Sequence, residues 1–235
     1  MNYKSFSLLF FVLLMSFDTV TDKINPVISS LEKTEKATSA NASVYSQIDA
    51  NSFALPSFEC FNLAFDGFNH LKEKGLIQKN ILTIVDFSLS SNTKRLWVID
   101  LDKNIVLFQT LVAHGRNTGE EFAQAFSNQA ESFKSSVGFY ATAEIYNGKH
   151  GMSLKLDGLQ KGLNDKARER AVVMHGADYV SESFIKQNKR LGRSLGCPAV
   201  PVELNQKIIN VIKDKSCLFI YHPTVKQEIV SKLAS

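Results

Sequence analysis

Apolar residues recur at helical spacing between Pro56 and Gly75. Intervals of three and four residues predict a helix that turns one face to a hydrophobic core. The apolar positions are Phe58, Phe61, Leu63, Ala64, Phe65, Phe68 and Leu71. Residues 181–188 and 202–213 show the same amphipathic period and predict two shorter helices. All three helices are expected to cover a core that other parts of the chain complete.

Runs rich in β-branched and aromatic residues predict the strands. They cover residues 81–87, 95–100, 105–113, 171–174 and 217–221. The polar turn at residues 102–104 predicts a hairpin between the second and third runs, and residues 147–151 predict another hairpin within residues 137–156. The whole pattern predicts a mainly β fold with flanking helices, of the α+β class.

The N-terminal residues have a different pattern. Lys4 precedes an apolar run at residues 6–17, which is typical of a secretory signal peptide. The run is shorter than the roughly 20 residues that span a bilayer. Residues 16–19 lack small residues at alternate positions, so an uncleaved anchor stays open. We assign residues 1–20 to a signal peptide or N-terminal anchor, 21–55 to a polar tether, 56–223 to the folded domain and 224–235 to a C-terminal tail.

Length, charge and cysteine usage narrow the classes of function. The 235 residues suffice for one domain with a substantial core and are too few for two large ones. The net charge of +4 is dispersed along the chain and does not predict a nucleic-acid interface. Cys60, Cys197 and Cys217 include no Cys-x-x-Cys pair, and the chain has no His-Glu-x-x-His, so no metal and no other cofactor are expected. In an oxidising compartment two cysteines can pair and leave one free thiol, but the count does not identify it.

The pattern most informative for chemistry lies in residues 172–201. A run of aliphatic residues ends at His175, which places an imidazole at a sheet edge, and Cys197 follows within a glycine-containing turn. A cysteine attacks as its thiolate, so its free pKa of about 8.5 must be lowered by a neighbouring imidazole or cation. The residues suggest Cys197 as nucleophile and His175 as base. On the residues alone, a packed thiol and a polar turn histidine remain an alternative.

The turn before the cysteine predicts an oxyanion site. Glycine at position 196 permits unusual backbone dihedrals, so that the N–H groups of Gly196 and Cys197 can point together at a carbonyl oxygen. Ser194 belongs to the same turn. One such donor typically contributes about 3 to 4 kcal/mol in acyl transfer. Arg193, which precedes the turn, is expected to add positive potential near the thiol.

Residues 192–201, together with His175-Gly176, resemble the active-site motif of the L,D-transpeptidase family (YkuD-type catalytic domain). In that motif His-Gly is followed by Ser/Thr-x-Gly-Cys. Residues 113–119, 126–128 and 135–138 are similar to the murein branch of the family, and the resemblance covers roughly residues 56–222. It implies a β-sandwich-like catalytic domain, exported to the periplasm or cell envelope, with peptidoglycan stem peptides as partners. Cys197 matches the family's nucleophile and His175 its base.

Two positions depart from the family pattern. Many members carry a histidine two residues before the nucleophile and an asparagine or arginine two residues after it, where this chain has Leu195 and Ala199. We hypothesise that Arg193 or Arg116 supplies the missing cationic contact.

Further substrate contacts are expected next to the predicted base and at the end of a predicted strand. Gly176 follows the base directly. His114 ends an apolar run as His175 does and is a candidate to line the cleft, with a hydrogen-bonded turn residue as the alternative. Together with Arg193 and Arg116, these two residues form the predicted substrate-binding set.

The resemblance implies acyl transfer through a Cys197 thioester to an amine of a second stem peptide. Water as the acceptor would give an L,D-carboxypeptidase, and loss of the chemistry would leave a non-catalytic cell-wall-binding module. A scaffold with structural cysteines also stays open, as does a Cys60–Cys217 disulfide. Sortases and NlpC-type hydrolases are disfavoured, because no arginine follows Cys197 and because the histidine precedes the cysteine. The sequence predicts no oligomeric state.

Overall fold

The computed structural model describes residues 38–149 and 151–233. The signal peptide or anchor predicted for residues 1–20, and residues 21–37 of the predicted tether, lie outside these described residues. Within the described part of the chain, no helix is both long enough and apolar enough to cross a membrane.

Four α-helices follow the helical segment at residues 38–46. They are α1 (Phe58–Glu73), α2 (Glu182–Asn188), α3 (Val202–Ile212) and α4 (Lys226–Leu233). The side chain of Ser57 caps α1 by accepting the N–H of Cys60, and Ser181 caps α2 in the same way. The three helices predicted from the apolar period are confirmed, and α4 occupies the segment that composition assigned to a tail.

Eight strands and two short 3-10 helices complete the described part of the chain. The strands are β1 (Ile81–Asp86), β2 (Leu96–Asp100), β3 (Ile105–Thr110), β4 (Gly138–Gly148), β5 (Gly151–Gly158), β6 (Val173–Gly176), β7 (Ala199–Val200) and β8 (Cys217–Tyr221). The 3-10 helices are Arg116–Thr118 and Pro223–Val225. Both predicted hairpins, β2–β3 and β4–β5, are confirmed.

The strands form one sheet in the order β3-β2-β1-β8-β4-β5-β6-β7. β1 pairs with β8 and β6 with β7 in parallel, whereas the other neighbours are antiparallel. Ala113, just beyond β3, exchanges two backbone hydrogen bonds with Ala199 of β7, at 2.8 and 3.3 Å. This pairing joins the two ends of the strand order, so the sheet is nearly closed and barrel-like. The mainly β fold with flanking helices is confirmed.

The segments next to the predicted domain boundaries pack on the sheet. Asn41 donates to Asp66 of α1 at 2.6 Å, and Ile48 is buried in the main core. The indole N–H of Trp97 donates to the carbonyl of Ala54 at 2.7 Å. In the C-terminal helix α4, Ile229 is fully buried. Apolar contacts outside residues 56–223 therefore contribute to the same core.

All three cysteines lie within the described residues, and each is a free thiol. Cys60 on α1 and Cys217 on β8 are fully buried, and the Cys60–Cys217 disulfide considered above is not formed. Cys197 is partly exposed and is therefore the thiol that a solute can reach.

Candidate active site

The thiol of Cys197 lies against the backbone that leads into β6. The N–H of Val173 approaches Sγ at 3.5 Å, and Sγ lies 3.8 Å from the carbonyl oxygen of Ala171, to which the thiol can donate. Burial raises the pKa of Cys197, while the Val173 N–H and the charge of Arg170 lower it, with burial the larger effect. The resting group is thus a thiol rather than a thiolate at neutral pH.

His175 lies on β6 with 4% of its surface exposed. Its Nδ1 is 2.9 Å from the carbonyl oxygen of Gly176. A carbonyl can only accept, so Nδ1 carries the proton, and in the neutral ring Nε2 is the basic nitrogen. The parallel pairing of β6 with β7 sets His175 opposite Ala199, two residues after Cys197. Cys197 precedes β7 by two residues, so the sheet brings the predicted nucleophile next to the strand that carries the predicted base.

The lack of a side chain at Gly176 allows α3 to pack closely on β6. A Cβ at this position would lie 3.1 Å from the Cβ of Asn205 and 3.2 Å from the Cα of Val202. The start of α3 therefore packs directly on the backbone of β6, and the Gly176 carbonyl is fixed where it receives the imidazole N–H. This contact assigns Gly176 to orientation of His175, and the structure gives no contact that tests the predicted role in substrate binding.

The side chain of Ser194 stabilises the turn that carries Cys197 through two hydrogen bonds to its backbone. Its hydroxyl donates to the carbonyl of Cys197 at 2.6 Å and accepts the N–H of Gly196 at 3.0 Å. The Gly196 N–H is thus bonded inside the turn, and its predicted pairing with the Cys197 N–H at one oxyanion stays a prediction. Among the described residues no group accepts the Cys197 N–H, which leaves that donor for a ligand. Gly196 adopts a φ of 126°, a conformation that favours glycine.

Arg170 is the cation beside the thiol, and no motif in the sequence predicted it. Its guanidinium donates to the carbonyls of Ser127 and Lys134 at 2.8 and 2.7 Å, and more weakly to the hydroxyls of Ser132 and Ser136 at 3.4 and 3.3 Å. A Cβ on Gly196 would lie 3.4 Å from Nη2 of Arg170, so the guanidinium adjoins the nucleophile turn. The sequence feature that could have indicated Arg170 is its position just before the aliphatic run that ends at His175.

The charge of Cys197 also affects the pKa of two buried tyrosines. The pKa of Tyr140 is raised to about 12, chiefly by burial, and the charge of Cys197 is a smaller contribution in the same direction. The pKa of Tyr179 is also raised to about 12, chiefly by burial and then by Cys197. Both phenols are neutral at physiological pH, so neither adds negative charge next to the thiol.

The two arginines that were predicted to supply a cationic contact, Arg193 and Arg116, both form hydrogen bonds within the protein. Arg193 donates to Glu120 at 2.7 Å and to the carbonyls of Arg116 and Gly119 at 3.2 and 3.3 Å. Arg190 pairs with the other oxygen of Glu120 at 2.9 Å. Arg193 therefore fastens the loop at residues 116–120 to the nucleophile segment. The backbone N–H of Arg116 donates to the Ser194 carbonyl at 2.7 Å, while the residue is exposed, so its predicted substrate contact stays a prediction.

His114 is buried, with only 1% of its surface exposed. Arg95, itself fully buried, approaches Nδ1 of His114 at 2.8 Å. A guanidinium can only donate, so Nδ1 accepts, and Nε2 donates to the carbonyl of Gly119 at 3.2 Å. Burial and then Arg95 lower the pKa of His114 to about 4. This arrangement favours the hydrogen-bonded alternative, and the expected substrate contact of His114 stays a prediction.

No group of three or more His, Cys, Asp or Glu side chains in the described residues is arranged to hold a metal ion.

Cysteine acyl-transfer sites combine a thiol with a nearby imidazole, and in this structure the Cys197 thiol lies against the strand that carries His175. The sequence profile of the L,D-transpeptidase catalytic domain matches residues 54–221. This is well over half of the chain, so the protein belongs to the L,D-transpeptidase catalytic domain family.

Solved structures of the same kind resemble the fold at low identity. The K307A mutant of the helical cell shape determining protein Pgp2 from Campylobacter jejuni is 17% identical, with 73% of this chain and 61% of that chain covered and a TM-score of 0.42. An L,D-transpeptidase from Mycobacterium smegmatis is 10% identical, with coverage of 61% and 59% and a TM-score of 0.37. The C442S mutant of an Enterococcus faecium L,D-transpeptidase is 12% identical, with coverage of 62% and 50% and a TM-score of 0.38.

The match spans half to about three fifths of the length of these solved chains. No curated protein matches the sequence.

Proposed function

We propose that this protein is an exported cysteine L,D-transpeptidase that acts on peptidoglycan stem peptides in the periplasm or cell envelope. One observation carries the proposal: the reachable thiol of Cys197 lies against the backbone of β6, the strand that carries His175, and Nδ1 of His175 is bound to a carbonyl, which makes Nε2 the basic nitrogen of the neutral ring. Membership of the family supports the substrate class.

The reaction begins with proton transfer from Cys197 to Nε2 of His175. In the resting structure the partners of Sγ are backbone groups at Ala171 and Val173. We expect Sγ to leave the Ala171 carbonyl when the donor peptide binds, because catalytic hydrogen bonds often tighten only in the complex. The thiolate then attacks a peptide carbonyl of the donor. His175 returns its proton to the nitrogen of the leaving D-residue, and a thioester to Cys197 remains.

An amine of a second stem peptide completes the transfer. It attacks the thioester carbon, His175 accepts its proton, and the Cys197 thiol is restored as the cross-link forms. Water in the same position would give a carboxypeptidase product. In both half-reactions the oxyanion lies near the Cys197 N–H, which has no acceptor among the described residues.

Charge around the thiol supports this assignment of roles. Because burial holds the pKa of Cys197 above its ordinary value, the thiol needs a base, which His175 provides. The positive charge of Arg170 lowers the cost of forming the thiolate and lies on the side of Gly196. Arg170 thus takes the cationic role that the sequence suggested for Arg193.

The test is incubation of the purified protein and its Cys197→Ala variant with a disaccharide tetrapeptide, followed by mass spectrometry. We expect loss of the terminal residue with the parent alone, and the product mass identifies an amine or water as the acceptor. Absence of both product and covalent adduct from the parent would instead support a non-catalytic wall-binding module.

A further inference from the structure

Ser135 is buried against the turn that carries Cys197, and the proposed reaction makes no use of its side chain. Only 1% of its surface is exposed. It opens residues 135–138, one of the segments on which the resemblance to the family rests. Its hydroxyl accepts the N–H of Gly115 at 3.0 Å and lies 3.1 Å from the carbonyl oxygen of Gly196. A carbonyl oxygen can only accept, so the hydroxyl proton is directed at Gly196.

This hydrogen bond determines the direction of the Cys197 N–H. The carbonyl of Gly196 and the N–H of Cys197 belong to one peptide group. No cis peptide bond occurs in the described part of the chain, so this group is planar and trans, and its C=O and N–H point in opposite directions. The carbonyl oxygen points at the buried hydroxyl of Ser135, so the N–H points away from it. Any tilt of the carbonyl would tilt the N–H by the same angle.

The peptide groups on either side are held by Ser194. Its hydroxyl accepts the Gly196 N–H at 3.0 Å and donates to the Cys197 carbonyl at 2.6 Å. The two serines together engage every backbone polar group of Gly196 and Cys197 except the Cys197 N–H, for which the described residues offer no acceptor. A donor with a fixed direction and no partner is what an oxyanion site requires, because it does not need to reorient during the reaction.

The backbone of Ser135 fixes the position from which its hydroxyl acts. Its N–H donates to Oγ1 of Thr118 at 2.8 Å, and its carbonyl accepts the N–H of Ser127 at 3.0 Å. A Cβ on Gly115 would lie 2.9 Å from the Cα of Gly196 and 3.0 Å from the nitrogen of Ser135. The three backbone segments are therefore in direct contact, and the hydroxyl reaches the nucleophile turn from a fixed support.

We propose that Ser135 is a positioning residue that aims the Cys197 N–H at the oxyanion formed during acyl transfer. The proposal rests on the proposed function, because it requires Cys197 to attack a carbonyl group. As the C–S bond forms, the π electrons of that carbonyl move to its oxygen, which accepts the Cys197 N–H. The C=O bond is restored when the leaving group departs with a proton from His175. Without the Ser135 hydroxyl the Gly196–Cys197 peptide group can rotate, and its N–H meets the oxyanion less directly.

Two reactions of the Cys197 thiol separate this role from a general support of the turn. p-Nitrophenyl acetate acylates a thiol through a tetrahedral oxyanion and releases p-nitrophenolate, whereas iodoacetamide alkylates it by displacement of iodide, without an oxyanion. We expect Ser135→Ala to slow acylation about tenfold. Alkylation should change by less than about twofold at every pH, because the donor is used only where an oxyanion forms. Absorbance of p-nitrophenolate and mass spectrometry measure the two rates, and Cys197→Ala gives the background.

Ser216→Ala is the matched control. Ser216 is also fully buried, and its hydroxyl donates to a backbone carbonyl, that of Ile212, at 2.6 Å, just before β8. Both rates should stay at the parent values in this variant. Thr118→Val removes the acceptor of the Ser135 N–H while it keeps the volume of the side chain, and it replaces Ser135→Ala if that variant does not fold. It should slow acylation about twofold to fivefold, with alkylation unchanged.

Parent-like acylation in Ser135→Ala, or in Thr118→Val where it is the variant used, would overturn the proposal. An equal loss of acylation and alkylation would also overturn it, because Ser135 would then support the turn as a whole. Absence of Cys197-dependent acylation from the parent would do the same. Turnover of the disaccharide tetrapeptide is scored separately. Slowed acylation in Ser135→Ala, with a parent that does not turn over the tetrapeptide, would support the role of Ser135 and contradict only the proposed function.

Discussion

Two opposing influences act on the pKa of the Cys197 thiol. Burial favours the neutral thiol, whereas the Val173 N–H and the guanidinium of Arg170 favour the thiolate. Arg170 also bonds the segment at residues 127–136, so its charge is held in place rather than carried by a mobile side chain. The pKa of Cys197 therefore depends on the charge of Arg170 as well as on burial.

Arg170→Met should raise the pKa of Cys197, because it removes the cation that favours the thiolate. Measured as the rate of iodoacetamide alkylation against pH, the midpoint should move upward, and the rate at pH 7 should fall about three- to tenfold. Arg170→Lys should recover part of the shift. The exposed Lys166→Met variant serves as the control and should keep the parent profile. A uniform loss of rate at every pH, with the midpoint unchanged, would show that Arg170 acts through structure alone.

Ser194→Ala should loosen the nucleophile turn. The substitution removes the hydroxyl that bonds both the Cys197 carbonyl and the Gly196 N–H, and leaves these buried groups unpaired. We expect a loss of about 1 to 3 kcal/mol in the free energy of unfolding, measured by urea denaturation. Ser231→Ala, which removes an exposed hydroxyl from α4, should change it by less than about 0.5 kcal/mol. An unchanged unfolding midpoint in Ser194→Ala would contradict the bracing role.

The sequence predicts the chemistry of single residues better than their partners. Cys197 and His175 stand out because a motif surrounds them, and the fold brings Cys197 against β6, the strand that carries His175. Arg193 and His114 were assigned to substrate because they are polar residues near that motif, yet each is bonded within the protein. Arg170 was missed because its role comes from a fold that brings residues 127–136 to it.

At the scale of elements, the site depends on the parallel pairing of β6 with β7. Parallel neighbours need a crossover, and here the crossover contains α2. Behind this pair, α3 packs so closely on β6 that a Cβ at position 176 would lie only 3.1 to 3.2 Å from Asn205 and Val202. The orientation of the imidazole is thus set by helix packing as much as by its own hydrogen bond.

Gly176→Ala should disturb this packing. The added Cβ would meet the backbone of α3 at Val202, which cannot yield as a flexible side chain does. We expect a loss of about 1 to 3 kcal/mol in the free energy of unfolding, together with a slower turnover of the tetrapeptide because the carbonyl that holds Nδ1 is displaced. Urea denaturation and mass spectrometry of the product measure the two effects. Parent-like values in both would show that α3 accommodates the methyl group without cost.

Local patterns predict these elements more readily than their arrangement. The amphipathic period of α1 and the polar turn of the β2–β3 hairpin involve neighbours in sequence, so both could be read directly. The pairing of β1 with β8 joins residues more than 130 positions apart, as in Leu82 with Cys217, and no local pattern specifies it. The closure of the sheet through Ala113 and Ala199 is of the same non-local kind.

For the whole molecule, the buried pair of Arg95 and His114 couples stability to pH. The folded protein lowers the pKa of His114 from 6.5 to about 4, so the unfolded chain binds its proton more readily. Stability is therefore fully present above pH 6.5 and declines as the pH falls towards 4. By linkage the decline is at most about 3 kcal/mol.

His114→Gln isolates this contribution. A glutamine can accept from Arg95 and donate to the Gly119 carbonyl, but it does not titrate. We expect the free energy of unfolding of the parent to fall more steeply between pH 7 and pH 4 than that of His114→Gln, as measured by urea denaturation at each pH. His222, whose pKa is also lowered by burial, contributes equally to both proteins. Identical slopes would exclude His114 as the source.

The hydrogen bond from Trp97 to Ala54 gives the molecule an intrinsic optical reporter. Trp97 is the single tryptophan of the chain and is almost fully buried, and its indole N–H is bound to the segment that precedes α1. Detachment of that segment would hydrate the indole and shift its fluorescence emission to longer wavelength. Emission spectra of the unlabelled protein can therefore follow whether residues ahead of the catalytic domain stay docked when cell-wall fragments are added.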